Sequence, residues 1–111
     1  MIPPPRRIGT PPHDIDINGY FMPCLDRQPI LMSLDGTTDI FIPVFSSENK
    51  LRELMRISQS AFEGIVRITD PREFINSIQE ARRHGEQIRV MVDPYITPEQ
   101  KTRFSELLLP A

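Results

Sequence analysis

Twelve prolines are spread unevenly over 111 residues, and their positions limit the fold more than any other feature of the chain. Proline fixes φ and carries no backbone N–H, so each one forbids a helix interior or removes a donor from a sheet. Five stand in the opening dozen residues, MIPPPRRIGTPP. That density predicts an extended, polyproline-like arm over residues 1–19 rather than helix or sheet. Pro23, Pro29 and Pro43 interrupt runs that otherwise read as strands, and so mark strand starts, bulges or edges. Pro71 follows an aspartate and Pro98 a threonine, the arrangement in which a helix accepts proline in its first turn.

Between these marks the hydrophobic pattern assigns the elements. YFMPCLD and PILMSLD read as two strands separated by Arg27-Gln28, and Asp35-Gly36 then turns the chain into a third, DIFIPVF. An antiparallel meander over Tyr20 to Phe45 is the expectation. Ser47 caps a helix with apolar positions Leu51, Leu54, Met55 and Phe62. GIVRITD, residues 64–70, is a strand. In DPREF, Asp70 is the N-cap, Pro71 the first helical residue and Glu73 the capping-box partner. Phe74, Ile75, Ile78 and Ala81 form the stripe of that helix. Arg82, Arg83 and His84 complement the dipole of its last turn, and Gly85 ends it. QIRVMVD, residues 87–93, is the last strand. TPEQ, residues 97–100, repeats the cap and predicts a third helix with Phe104, Leu107 and Leu108 inward.

The expected fold is therefore α/β, bordering on α+β. It is a single domain over residues 20–111, preceded by the arm of residues 1–19. It holds a mixed five-stranded sheet and three helices in the order βββαβαβα. Right-handed crossovers would make the strands near Phe41, Val66 and Val90 mutually parallel. Leu54, Phe74, Ile78, Val90, Val92, Phe104 and Leu108 form the expected core. The arm is expected to dock through Ile2, Ile8, Ile15 and Ile17, on its own domain or as the clasp of a homodimer.

Composition narrows the function classes. With 25% charged residues and a net charge of −2, the chain has no basic surplus to attract nucleic acid or an anionic membrane. No apolar run nears the ~20 residues of a membrane-spanning helix, and the N-terminus lacks the apolar region of a secretory signal. A single cysteine, Cys24, excludes an internal disulfide framework and fits a reducing, cytoplasmic compartment.

Candidate chemistry gathers where parallel strands end, the usual ligand edge of such sheets. Ser46, Ser47, Asp70, Asp93 and Tyr95 fall there, and they are the candidate ligand-binding residues. Several helix N-termini at this edge would favour an anion. Against that, Ser47, Asp70 and Thr97 are each explained as caps, two aspartates repel anions, and no glycine-rich loop lets a phosphate approach. Asp70 and Asp93 are oxygen ligands of the type Mg²⁺ takes, but their spacing supplies no third. No CxxC or HExxH occurs, and Cys24, His13 and His84 are scattered, so no metal or other cofactor is expected. No nucleophile has a base beside it, so no catalytic residues are assigned. Cys24 reads as a small buried apolar residue and Ile96 as a staple ahead of the third helix.

The run YFMPCLD…LDGTTDIFIPVFSSENKLRELM, with the later VMVDPY of Val90–Tyr95, resembles the N-terminal domain of the SseB-type, or enhanced serine sensitivity, family. The resemblance spans roughly Tyr20 to Leu109. It implies a small bacterial α/β domain with a mixed sheet, a secretion-associated interaction role and no catalytic residues. Longer members carry a second domain, for which these 111 residues leave no room. The leading expectation is a non-enzymatic protein-interaction or assembly module. The alternative is a small-ligand or metal-binding domain using the carboxyl ends of its parallel strands.

Overall fold

The computed structural model describes residues 16–34, 36, 38–107 and 109. Among these, seven strands and two helices follow one another. They are β1 (Phe21–Leu25), β2 (Gln28–Pro29), β3 (Met32–Ser33), β4 (Ile40–Val44), α1 (Glu48–Ser58), β5 (Gly64–Arg67), α2 (Pro71–Arg83), β6 (Ile88–Ile96) and β7 (Thr102–Leu107). The strands form two sheets, in the orders β2-β1-β5 and β3-β4-β6-β7. The mixed α and β architecture matches the sequence expectation. The counts do not, since seven strands in two sheets replace five in one, and two helices replace three.

The prolines explain the division of the sheet. Among the described residues a single antiparallel bridge joins the two sheets at Phe21 and Phe45, whose backbones exchange hydrogen bonds of 2.7 and 2.8 Å. Continuing that register by two residues sets Pro23 against Pro43. Neither has an N–H to give, so the ladder cannot propagate past its first rung. Both prolines are fully buried at this junction. Pro43 thus sits inside a central strand without costing a bond to β6, because its nitrogen faces the side on which Phe45 bridges to β1.

Among the described residues only β4 and β6 are parallel, from Ile40 beside Ile88 to Val44 beside Val92. The strand near Val66 is not their parallel neighbour. As β5 it pairs antiparallel with β1, Met22 opposite Val66. The expected meander is likewise broken. β2 returns on β1 through Asp26 and Arg27, while β3 pairs with β4 in the other sheet. Asp26 and Arg27 both adopt positive φ, 53° and 64°, the backbone of a tight hairpin turn that suits the strand twist. Gly36 also has positive φ, at 83°, as the expected turn requires; Asp35 lies outside the described residues.

Each helix covers its own face. On α1, Leu51, Leu54 and Met55 pack with Phe45 into one cluster, joined by Phe21, Ile65 and Ile96. On α2, Ile78 joins Ile42, Val44, Ile88, Val90, Val92 and Leu107 in a second, with Phe74, Ile75 and Ala81 half-buried against it. β4 lies between the two layers, which is why IFIPV reads as a continuous apolar run. The Ser47 hydroxyl accepts from the Lys50 N–H at 3.3 Å and caps α1; Asp70 accepts from the Glu73 N–H at 3.2 Å and caps α2. Cys24 is buried, and burial pushes its thiol up from the ordinary value.

Of the expected core, Leu54, Ile78, Val90 and Val92 are buried, and Phe74 and Phe104 are half-buried. Leu108 lies outside the described residues, as does the arm up to Ile15 with its expected contacts at Ile2, Ile8 and Ile15. Ile17 is described and is 1% exposed in the α2-side cluster. The chain around it is pinned to the end of β5, for the Gly19 N–H donates to Ile68 O at 2.6 Å and the Ile68 N–H to Tyr20 O at 2.7 Å.

The third helix is replaced by a hairpin. Thr97-Pro98-Glu99-Gln100 is a turn, closed by Thr97 N–H to Lys101 O at 2.8 Å, and residues 102–107 run back along β6 as β7. Ile96 therefore staples no helix; it ends β6 and packs on the α1-side cluster.

Candidate functional site

The junction between β4 and α1 is held by one carboxylate. Asp93 accepts from the Ser46 N–H at 2.7 Å, from the Ser46 hydroxyl at 2.8 Å and from Lys50 Nζ at 3.4 Å. Lys50 Nζ also donates to Ser46 Oγ at 3.2 Å. The three side chains close a small network that joins β6 to the first turn of α1.

A local irregularity of β6 aims Asp93 at this junction. Val92 opposes Ser105 and Tyr95 opposes Arg103, so three steps on β6 face two on β7 and one residue is extra. That is a β-bulge, a device that redirects a side chain and bends its strand. Asp93 takes φ 50°, a conformation aspartate tolerates better than bulkier residues. Pro94, buried next to it, has no N–H to give to the ladder and is accommodated at this irregularity.

Beside the network, an open groove of about 1000 Å³ runs between α1 and the β6–β7 hairpin. Asn49, Lys50, Glu53 and Ile57 line it from the helix, and Asp93, Tyr95, Ile96, Arg103 and Phe104 from the hairpin. Two of its apolar side chains lie open to solvent, Ile57 at 43% and Tyr95 at 58%. The groove exists because β6 and β7 extend beyond the cover of α1.

The candidate residues divide accordingly. Ser46, Asp93 and Tyr95 come together at the groove and its rim. Ser47 stays at the α1 cap. Asp70 caps α2 and lines separate, smaller clefts beside that helix. Three residues important to the groove escape the sequence reading. Lys50 carries a signal, since it stands in the first turn of the helix that Ser47 caps, within a long side chain's reach of Ser46. Ile57 carries another, being an apolar residue off the Leu51–Leu54–Met55 stripe. Arg103 has none, because its place depends on a strand read as a helix.

A serine beside a lysine is a pairing that can serve acyl transfer, but the surroundings oppose it. Such an amine must be desolvated to act as a base. Lys50 is 58% exposed and paired with Asp93. Among the described residues no three His, Cys, Asp or Glu side chains cluster as a metal site would require, and no helix is long and apolar enough to cross a membrane. Comparison with family models, curated proteins and solved structures yields no match to this chain.

A second charged group lies elsewhere on the sheet, where Arg89 pairs with Glu106 and, at 2.6 Å, with Asp39, its guanidinium 5.0 Å over the Phe41 ring. Hydrogen bonding to Glu106 raises the Arg89 pKa. With both carboxylates occupied, this group braces β4, β6 and β7.

Proposed function

We propose that the chain is a non-enzymatic protein-interaction module, as its resemblance to the SseB-type domain implies, and that it binds through the groove between α1 and the β6–β7 hairpin. The observation carrying this reading is the pair of exposed apolar side chains, Ile57 and Tyr95, beside a rim of charged residues. Interfaces favour that composition, with aromatic anchors inside and polar groups around them. The Ser46–Lys50–Asp93 network acts as the brace that keeps the groove's two sides in register.

The test is selection of binding peptides from a random displayed library, with Tyr95→Ala and Ile57→Asp as controls. The expected result is peptides whose affinity falls at least about tenfold in either variant, the loss typical of an interface anchor. Both side chains are exposed, so either variant should lose no more than about 1 kcal/mol of stability, the acid at Ile57 opposing the dipole of the last turn of α1. Selected peptides that bind both variants as well as the parent would refute this surface.

The groove's volume favours a second reading, a small organic ligand, because about 1000 Å³ is at the upper end of such sites. A saturable thermal shift in a nucleotide and metabolite screen, abolished by Asp93→Ala, would support that reading over the first.

A further inference from the structure

β7 is an edge strand, and its free side can be assigned residue by residue. The Ile40 N–H donates to Gln87 O, so the even-numbered residues of β4 face β6. In a parallel pair the facing residues of the partner are offset by one, which turns Arg89 and Met91 toward β4 and Val90 and Val92 toward β7. Val90 opposes Leu107 and Val92 opposes Ser105, so those β7 residues bond to β6. The backbone groups of Thr102, Phe104 and Glu106 then point away from the sheet. Among the described residues no strand pairs with that side. An unpaired edge of this length is usually blunted by proline, a bulge or charged side chains, and of these β7 has only the charges. β7 contains no proline, and the bulge of this hairpin lies on β6.

The charge along the edge is one-sided. Lys101 and Arg103 are exposed and make no ion pair among the described residues. Glu106, the acid within β7, is committed to Arg89; Lys101 and Glu99 both precede the strand, Lys101 directly and Glu99 further back in the turn. Phe104, on the edge strand itself, and Tyr95, on the neighbouring strand opposite Arg103, both line the groove. Backbone donors and acceptors in a row, unpaired cations and an adjoining apolar surface are together complementary to one kind of occupant.

We propose that β7 takes an extended acidic segment of a partner protein as an added strand, with apolar residues of that segment seated toward the groove. This deepens, and rests on, the reading of the groove as a protein-binding surface. Main-chain bonds to Thr102, Phe104 and Glu106 would supply affinity, and Lys101 and Arg103 would select for acidic side chains.

The experiment uses the full chain, labelled with ¹⁵N, and two synthetic heptapeptides, one alternating valine with glutamate and the other valine with lysine. The glutamate peptide should shift the amides of Thr102, Phe104 and Glu106, slow their hydrogen exchange, and bind at least about tenfold more tightly than the lysine peptide. The double variant Lys101→Glu/Arg103→Glu should reverse that preference. Thr102→Pro removes one outward N–H and leaves the bonds to β6 in place, so it should abolish binding at an unchanged urea midpoint. Equal binding of the two peptides, or protection appearing along β5 instead, would overturn the proposal. If neither heptapeptide binds but library-selected peptides still depend on Tyr95 and Ile57, strand addition falls and the interaction module stands. If selected peptides ignore Tyr95 and Ile57 as well, both readings fall.

Discussion

Asp70-Pro71-Arg72-Glu73 and Thr97-Pro98-Glu99-Gln100 carry nearly the same local instruction, yet one opens a helix of 13 residues and the other a hairpin turn. Both offer a capping side chain, a proline next and an acid or amide three residues on. After Asp70 the apolar residues Phe74, Ile75, Ile78 and Ala81 keep helical spacing over about two turns, and α2 lays them on the sheet. After Thr97 the segment is shorter and ambiguous. Phe104 and Leu107 fit a helix, while Thr102, Phe104 and Glu106 alternate with Arg103, Ser105 and Leu107 as a strand would. A cap is worth about 1 kcal/mol, too little to settle such a case. What settles it is the neighbour: β6 offers a row of backbone groups to be paired, and β7 pairs them while burying Leu107. A cap motif starts a helix only when the residues after it have a face to bury.

The largest effects should come from the apolar anchors of the two segments. Ile78→Ala in α2 and Leu107→Ala in β7 should each cost about 2–5 kcal/mol in urea melts. Phe74→Ala should cost less than a fully buried phenylalanine does, because Phe74 is only half-buried. A loss below about 1 kcal/mol for Leu107→Ala would mean that β7 is not held as described and would reopen the helical reading.

Next comes the carboxylate that ties the hairpin to α1. Asp93→Ala removes three hydrogen bonds and should cost about 1–3 kcal/mol, and Asp93→Asn less, since an amide oxygen still accepts from Ser46. Equal losses in the two variants would mean that the contact with Lys50 outweighs the bonds to Ser46.

Smaller again is the cap itself, where the two segments can be compared directly. Asp70→Ala should cost about 1 kcal/mol and lower helicity, whereas Thr97→Ala should leave helicity untouched. Circular dichroism at matched concentration reads both. A fall in helicity with Thr97→Ala would contradict the turn.

The smallest effect is the sharpest in sign. Gln100 sits at φ 64°, a conformation glycine adopts without penalty. Gln100→Gly should therefore raise the urea midpoint, or at worst leave it unchanged, by an amount on the order of 0.5 kcal/mol. Within a helix the same change would lower stability by about 1 kcal/mol. The direction of the shift alone separates turn from helix.

Much of this protein follows from local chemistry, and the sequence alone determined it. Helices α1 and α2 were legible because an amphipathic stripe, a cap and, for α2, an N1 proline agree with one another, although α1 stops at Ser58 and Phe62, expected on its stripe, packs on the same cluster from beyond the helix. The strand runs around Pro23, Ile42 and Val90 were legible from their apolar content. Ser46 and Asp93 fall just past the end of the parallel β4–β6 pairing, but β6 itself runs on through Asp93 and Tyr95 to Ile96, whereas the sequence pattern stops it at residue 93. What the tertiary structure decided concerns partners. Strand pairing depends on residues far apart in the chain, so nothing local revealed that Val66 would pair with Met22 rather than beside β4. Pro23 and Pro43 were recognisable as breaks, but that they face one another and divide the sheet follows only once Phe21 meets Phe45. Asp93 was visible as a carboxylate, whereas the bulge that aims it at Ser46 and Lys50 requires β7, the element whose short-range signals pointed to a helix. Local free energies of about 1 kcal/mol choose among helix, turn and strand only until a long-range pairing satisfies more backbone than they do.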